Sequence, residues 1–358
     1  MSETIERISV RAVNVPLRRP IRTAIGALPS APLVLIDLVT SDGVPGRIYL
    51  NVYKAGLLKA LVATVEAAGA EVVGHSAAPH EVAGFLDQSF RLLGRQGLVG
   101  LAIAGIETAA WDAAARRHDM SLARLLGGSE RPIPAYDSFG IIDPAADGTA
   151  IEASLRRGFR AIKIKIGGGS LAEDVARVGA VRAIIGADVA LMVDYNQSLS
   201  PAEACRRIER LLPFDLFWVE EPVAAEDFAG HALVRARSGA RIQTGENWMS
   251  VGAMQRAIAA GACDFAMPGL QRIGGVSGWL KAAALAESVG LPMSSHVFVE
   301  ASAHLMAVTP TAQWLEHIDI AGPILLEPAT VAPDGTISAQ GVGIGLEWDE
   351  AAVSRYAA

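Results

Sequence analysis

From about Arg131 onward, short apolar runs alternate with amphipathic stretches, and this rhythm limits the possible folds more than any other property of the chain. Strand-like runs fall at 133–137, 161–166, 190–193, 216–219, 241–244, 265–267 and 291–294, with helical patterns between them at 171–185, 201–212, 251–260 and 276–289. Strands joined through helices pair in parallel by right-handed crossovers. Seven or eight such units favour a closed barrel over an open nucleotide-binding sheet. Ahead of the rhythm, residues 5–15, 33–39 and 47–53 read as strands and 57–70, 80–93 and 98–117 as helices. Residues 18–31, with two prolines, one glycine and no steady period, read as a loop. The expected organisation is therefore an α+β domain over residues 1–125, a barrel over 126–326, and a tail over 327–358 that returns to the first domain.

At 358 residues, 51% hydrophobic and 19% charged, the chain is long and apolar enough for a large α/β barrel with a smaller domain. A net charge of −7 argues against a nucleic-acid or anionic-membrane partner. No uninterrupted apolar run reaches the roughly 18–20 residues that span a bilayer. The polar, acidic start at Met1–Glu6 does not read as a secretory signal, and Cys205 and Cys263 are too few for a disulfide framework. A cytoplasmic setting is expected.

In a barrel of this kind, chemistry collects at the C-terminal ends of the strands. Asp194, Glu220 and Glu246 stand at three successive strand ends, 26 residues apart each time. Any one of them reads as a solvated loop acid or a helix cap. Three in register would repel one another, and a hard divalent cation with oxygen ligands resolves that repulsion. Only five of the 31 basic residues are lysines, and two of them, Lys163 and Lys165, are one residue apart on one strand. Alternation puts both on one face, and the inward face spares them burial under the helix layer. A partly desolvated lysine near cations has a lowered pKa and can serve as a general base. His296 ends a strand on the opposite side, where it can act as acid or base. Glu316 ends the last strand, either bonding a ligand oxygen or capping a loop. Gly167-Gly168-Gly169 lacks the Lys-Ser/Thr of a phosphate loop and Gly341–Gly345 precedes no helix, so neither reads as a nucleotide site.

An ordered set of words extends this cluster: YDS at 136–138, KIKIG at 163–167, MVDYNQS at 192–198, WVEEP at 218–222, GENW at 245–248, RIGGVSGW at 272–279, PMSSH at 292–296 and TPTAQWLE at 309–316. With AVNVPL at 12–17 and APLVLIDL at 31–38, they resemble the mandelate racemase/muconate lactonizing enzyme family of the enolase superfamily over nearly the whole chain. The resemblance implies an α/β fold in which an α+β capping domain covers a modified TIM barrel, (β/α)7β. It implies Mg2+ held by Asp194, Glu220 and Glu246, and a small carboxylate substrate that loses its α-proton through an enediolate. By the same match Lys165 is the base on one face and His296 its counterpart, with Lys163 and Glu316 stabilising charge on the carboxylate oxygens. Ser138 and Asn196 would add polar contacts. Tyr53 and Ile25, with Ile21, Leu28 and Ile318, would form an apolar pocket for an aryl group, near Arg22 and Lys54. A homo-oligomer, an octamer, is also implied.

Gly269 departs from the family pattern, which has an aspartate bonded to the histidine. The gap also stands without the resemblance, because residue 269 lies 23 after Glu246 and 27 before His296, where another strand-end polar residue is due. Without a carboxylate partner His296 is expected to be less basic and less fixed in tautomer. The expected reaction is racemisation of a 2-hydroxy acid with an apolar or aryl substituent. The alternatives are an acid-sugar dehydratase, with His296 as the acid, and a catalytically impaired carboxylate-binding protein.

Overall fold

The computed structural model describes residues 3–23 and 26–358. Three antiparallel strands, β1 (Ile5–Thr23), β2 (Gly26–Thr40) and β3 (Pro45–Asn51), form the first sheet in that order. Consecutive residues Leu33 to Ile36 of β2 are all buried, so both faces of the central strand are covered. Helices α1 (Leu58–Val72) and α3 (Gly97–Arg117) pack on this sheet and on each other, α2 (Pro79–Ser89) packs on both helices, and a short α4 (Leu122–Leu125) follows. In contrast to the reading of the sequence, α3 is by length and composition apolar enough to cross a membrane, but 83% of that stretch is buried inside the fold.

Residues 18–23 and 26–31 are not a loop but the facing ends of β1 and β2. Within the described residues, Ile21 pairs with Leu28, Arg22 with Ala27 and Thr23 with Gly26, after a register shift beyond Pro16. What holds this hairpin is remote in sequence. Arg19 donates to both carboxylate oxygens of Asp137, at 3.2 and 2.8 Å, and to Ser138 O at 2.8 Å. Arg22 exchanges bonds with the backbone of Ile141. The approach is so close that a Cβ on Gly140 would lie 2.4 Å from Arg22 N. Ile25, expected in the substrate pocket, lies outside the described residues.

The second layer alternates strand and helix: β4 (Ile133–Ser138), α5 (Pro144–Arg156), β5 (Ala161–Lys165), α6 (Leu171–Ile185), β6 (Ala190–Asp194), α7 (Pro201–Leu211), β7 (Leu216–Glu220), α8 (Phe228–Ser238), β8 (Ile242–Thr244), α9 (Val251–Ala259) and β9 (Phe265–Ala266). Next come α10 (Leu270–Ile273), α11 (Gly275–Ser288), α12 (Val299–Ala307) and β10 (Leu315–His317). The strands run in parallel in the order β10-β4-β5-β6-β7-β8-β9. The expected strand at 291–294 makes only isolated bridges, Ala266 to Met293 and Met293 to Ala312, and these close the ring between β9 and β10. Tyr136, Met192, Trp218 and Phe265 fill the barrel interior, with Trp218 edge-on to Tyr136 at 5.5 Å. This apolar floor leaves the polar chemistry to the strand ends.

The tail first pairs β11 (Thr336–Ile337) antiparallel to β4, then runs back along the first layer to α13 (Glu350–Arg355). Its glycine-rich stretch docks on α3: buried Asp112 accepts from Ile344 N at 2.5 Å, and a Cβ on Gly343 would lie 2.0 Å from that carboxylate. Asn14 N donates to Tyr356 O at 2.8 Å, tying the chain end to β1.

Candidate metal centre and catalytic site

Strand register aligns the first part of the site. Lys165 pairs with Asp194 and Asp194 with Glu220 across β5, β6 and β7, so three charged side chains stand in one row. Glu246 joins them just beyond β8, where Gly245 takes φ +137° and a Cβ would lie 2.8 Å from the Trp248 ring, a conformation and a space that suit only glycine. The carboxylates of Asp194, Glu220 and Glu246 are buried and each offers an oxygen within 4.8 Å of the others.

Both lysines point inward. Lys163 Nζ lies 2.6 Å from Glu220 Oε1 and 2.7 Å from Glu316 Oε1, while Lys165 Nζ donates to Asp194. Burial pushes the Lys165 ammonium toward a lower pKa, but the summed charges of Asp194, Glu246 and Glu220 outweigh it and the net direction is upward. This upward direction belongs to the metal-free site, where the carboxylates rather than the expected neighbouring cations set it. Lys163 is raised in the same way by Glu220 and Glu316, and Glu316 is held well below the ordinary carboxylate range. Glu220 goes the other way. Its burial, together with Asp194, Glu316 and Glu246, outweighs Lys163 and raises it well above an ordinary carboxyl. This excess of buried negative charge, with hard oxygen donors converging on one point, fits a divalent cation such as Mg2+.

His296 faces this cluster from the closing segment. Its Nδ1 lies 3.0 Å from Glu316 Oε2 and 3.2 Å from Glu246 Oε2, without hydrogen-bond geometry to either, so carboxylates do flank the ring despite Gly269. Its Nε2 is 3.2 Å from Tyr53 Oη. Tyr53 therefore contacts the histidine, and was expected only as a pocket wall. Glu316 Oε2 also accepts from Val297 N at 3.0 Å. Asn196 bonds Asp194 through its backbone N–H (2.7 Å) and its side-chain amide (2.9 Å), which orients the carboxylate. Ser138 Oγ, beside Lys163 in register, is buried with no hydrogen-bond partner among the described residues. Ile21, Leu28 and Ile318 are half-buried.

The sequence reading missed a supporting layer. Asn247 Nδ2 donates to Glu221 Oε2 at 2.6 Å and to Glu246 Oε1 at 3.2 Å, and Glu221 is pushed up to about 8 by burial and by Glu246 and Asp194. Arg272 Nη1 donates to Glu246 O at 3.1 Å. The doubled acid of WVEEP and the amide of GENW were the available signals. An open cavity of about 670 Å3 adjoins Tyr53, Asn247 and Arg272, with an apolar wall that includes Leu57 and Leu98.

The family model for the mandelate racemase/muconate lactonizing enzyme N-terminal domain matches residues 5–127, and that for the enolase C-terminal domain-like fold matches residues 148–352. The chain superposes on a Bradyrhizobium enolase solved in complex with magnesium and mandelic acid, at 49% identity and a TM-score of 0.98, covering 100% of this chain and 99% of that one. It is 32% identical over 355 residues to the 3,6-anhydro-alpha-L-galactonate cycloisomerase of Streptomyces coelicolor, covering 96% of this chain and 98% of the relative. It is 36% identical over 238 residues to the L-talarate/galactarate dehydratase of Salmonella typhimurium, a match that spans 66% of this chain and 60% of that enzyme. Other relatives are named as epimerases. The chain is an enzyme, of isomerase or lyase type, that belongs to the mandelate racemase/muconate lactonizing enzyme family of the enolase superfamily.

Proposed function

We propose that this enzyme is a racemase of a small 2-hydroxy acid with an apolar or aryl substituent. The observation that carries the reading is the convergence of Lys165, from β5, and His296, from the closing segment, on one cluster of carboxylates. Asp194, Glu220 and Glu246 would hold Mg2+, which when bound supplies positive charge to the substrate carboxylate and makes the neighbouring C–H more acidic. Lys165 Nζ, as the neutral amine, takes the proton from one face of the α-carbon. The C–H bond breaks and its electron pair passes into the carboxylate as an enediolate. His296 delivers a proton to the opposite face, and the two exchange roles for the other enantiomer. Lys163, held between Glu220 and Glu316, presents its charge to the carboxylate oxygens, and the Ser138 hydroxyl, without a partner among the described residues, offers a further hydrogen bond. The mandelic acid bound by the Bradyrhizobium enzyme supports an aryl substituent. The test is exchange of the α-proton of each enantiomer of mandelate in D2O with added Mg2+. Exchange that survives Lys165→Ala in both enantiomers would exclude Lys165 as a base.

A second reading, dehydration of an acid sugar, has its own support. Gln197, Asn247 and Arg272 edge the cavity with groups suited to hydroxyls, and the Salmonella relative is named as such a dehydratase. Lys165 would remove the α-proton and His296 would protonate the departing β-hydroxyl. Formation of 2-keto acids from a panel of polyhydroxy acids separates the two readings. Adjacent exposed Leu92 and Leu93 support self-association, which light scattering tests.

A further inference from the structure

Segment 245–250 leads from the metal centre to a second cavity, of about 400 Å3, between the turn that joins α2 to α3 and the start of α9. Glu246 belongs to the metal centre, while Trp248 and Ser250 line this cavity. Trp248 is 2% exposed, and its Nε1–H has no hydrogen-bond partner among the described residues. A buried indole N–H ordinarily finds an acceptor, and leaving it without one is costly. The ring is oriented from its other side. A Cβ on Gly245 would lie 2.8 Å from Cζ3 and 2.9 Å from Cε3, so that edge packs on the glycine. The opposite edge, which carries the N–H, is left for the cavity that Trp248 lines.

The groups around this N–H are mostly donors. Helix α9 begins after Ser250, whose Oγ takes up Ala253 N at 3.2 Å and leaves the N–H groups of Val251 and Gly252 without a partner in the helix. Arg256 folds back over that first turn: a Cβ on Gly252 would lie 3.7 Å from its Nη1 and 3.6 Å from Ser250 Oγ. A guanidinium at the positive end of a helix dipole is unfavourable, and Arg256 makes no ion pair among the described residues to offset it. It lies instead 6.0 Å from the ring centroid of Phe228. Arg95 enters from the first layer. Its Nε is 2.9 Å from Asp87 Oδ1, but its Nη2 is buried with no hydrogen-bond partner among the described residues. The one carboxylate in the lining, that of Glu226, belongs to an exposed residue. Two guanidiniums, a helix N-terminus and a buried indole N–H therefore converge on one cavity, and an anion would satisfy all of them.

We propose that this cavity is a binding site for a small oxyanion, a carboxylate or a phosphate group, held by Trp248 Nε1–H and the first turn of α9 and neutralised by Arg95 and Arg256. An oxyanion accepts from several donors at once, which the backbone N–H groups, the indole and the guanidiniums supply together. Asn247 and Met249 also line the larger cavity beside Tyr53, so the two spaces share a wall. Occupation of the anion site is independent of which reaction the barrel mouth performs.

The experiment is calorimetric titration of the Mg2+-loaded enzyme with inorganic phosphate and, separately, with acetate, in wild type, Trp248→Phe and Arg256→Glu. At least one probe should bind wild type saturably, and the stronger of the two distinguishes a phosphate from a carboxylate site. Trp248→Phe keeps a ring in place and removes the N–H, so it should weaken that binding roughly 10-fold or more. Arg256→Glu reverses a charge on an exposed side chain and should weaken it at least as much. That second variant decides the matter if Trp248→Phe does not fold. Binding of neither probe below about 10 mM overturns the inference. So does wild-type affinity in either folded variant, which would place the anion on the metal instead.

Discussion

Replacing Glu220 by glutamine should leave the metal-free protein almost as stable as wild type while abolishing its response to Mg2+. The reasoning is electrostatic. With the triad oxygens within 4.8 Å of one another, each pair of charges repels by at least about 3.5 kcal/mol at an effective dielectric near 20, so the substitution removes about 7 kcal/mol of repulsion from Asp194 and Glu246. At 2.6 Å from Lys163 it gives up about 6 kcal/mol of attraction on the same scale. The two nearly cancel, and burial and Glu316, which also oppose a charge on Glu220, tip the balance toward the variant. In wild type, Mg2+ at a hundredfold excess over its Kd should stabilise the fold by about 2.7 kcal/mol. With unfolding entropy near 2.1 cal/mol/K per residue, 358 residues give about 0.75 kcal/mol/K, and Tm should rise by about 3–4 °C. The assay is thermal unfolding followed by circular dichroism, in EDTA and across a Mg2+ titration. The sign of the pH dependence follows from Glu220, whose raised pKa means that a proton competes with the cation. The Mg2+ shift should therefore shrink as pH falls. No shift in wild type, or an equal shift in Glu220→Gln, would refute the assignment. A metal-free variant that melts more than about 5 °C below wild type would show that the Lys163 ion pair outweighs triad repulsion.

Other parts of the fold make separate predictions. Burial pushes His304 down to about 4 while its Nδ1 accepts from Ala123 N at 3.3 Å. A histidine with a depressed pKa contributes stability that is present above about 6.5 and lost as pH falls through about 4, here about 3 kcal/mol. Denaturant unfolding at pH 7.5 and pH 4.5 should show that loss in wild type and less of it in His304→Gln. Asp112 accepts from Arg47 N (2.8 Å), Ile344 N (2.5 Å) and Arg116 Nε (2.7 Å), so Asp112→Ala should cost about 3–5 kcal/mol in urea unfolding and expose the tail to limited proteolysis. Cys263 is buried and its thiol is pushed up to about 12, so a thiol-specific reagent should leave it unmodified in the native protein and label it on unfolding.

Features written in contiguous residues were legible in the sequence. Helix α6 runs from Leu171 to Ile185 as read, because Ser170 and Glu173 form a capping box and Gly186 closes the end at φ +75°. The row Lys165, Asp194, Glu220 was reachable because each βα unit places one strand end at the mouth. The pairing of 21–23 with 26–28 was not, since prolines mask the period and the anchors, Asp137 and Ile141, lie more than 100 residues away. The ion pair between Lys165 and Asp194 was hidden for a related reason: the sequence located the charges but not which of them touch. Likewise the bond from Tyr53 to His296 spans 243 positions, and the clamp in which the Gln271 side chain bonds both N–H and C=O of Asn51 spans 220, distances over which no periodicity carries information.

That clamp bears on how such enzymes can be recombined. The two family models meet the chain on separate stretches, 5–127 and 148–352, which invites treating the first as an exchangeable specificity module. Asn51 and Tyr53 belong to one stretch, and Gln271 and His296 to the other. A chimera that imports a foreign first module would replace the hydroxyl facing the imidazole together with the residues proposed for the substrate pocket. Exchange of that module alone would alter the proton-transfer apparatus as well as the choice of substrate, unless residues 269–272 travel with it.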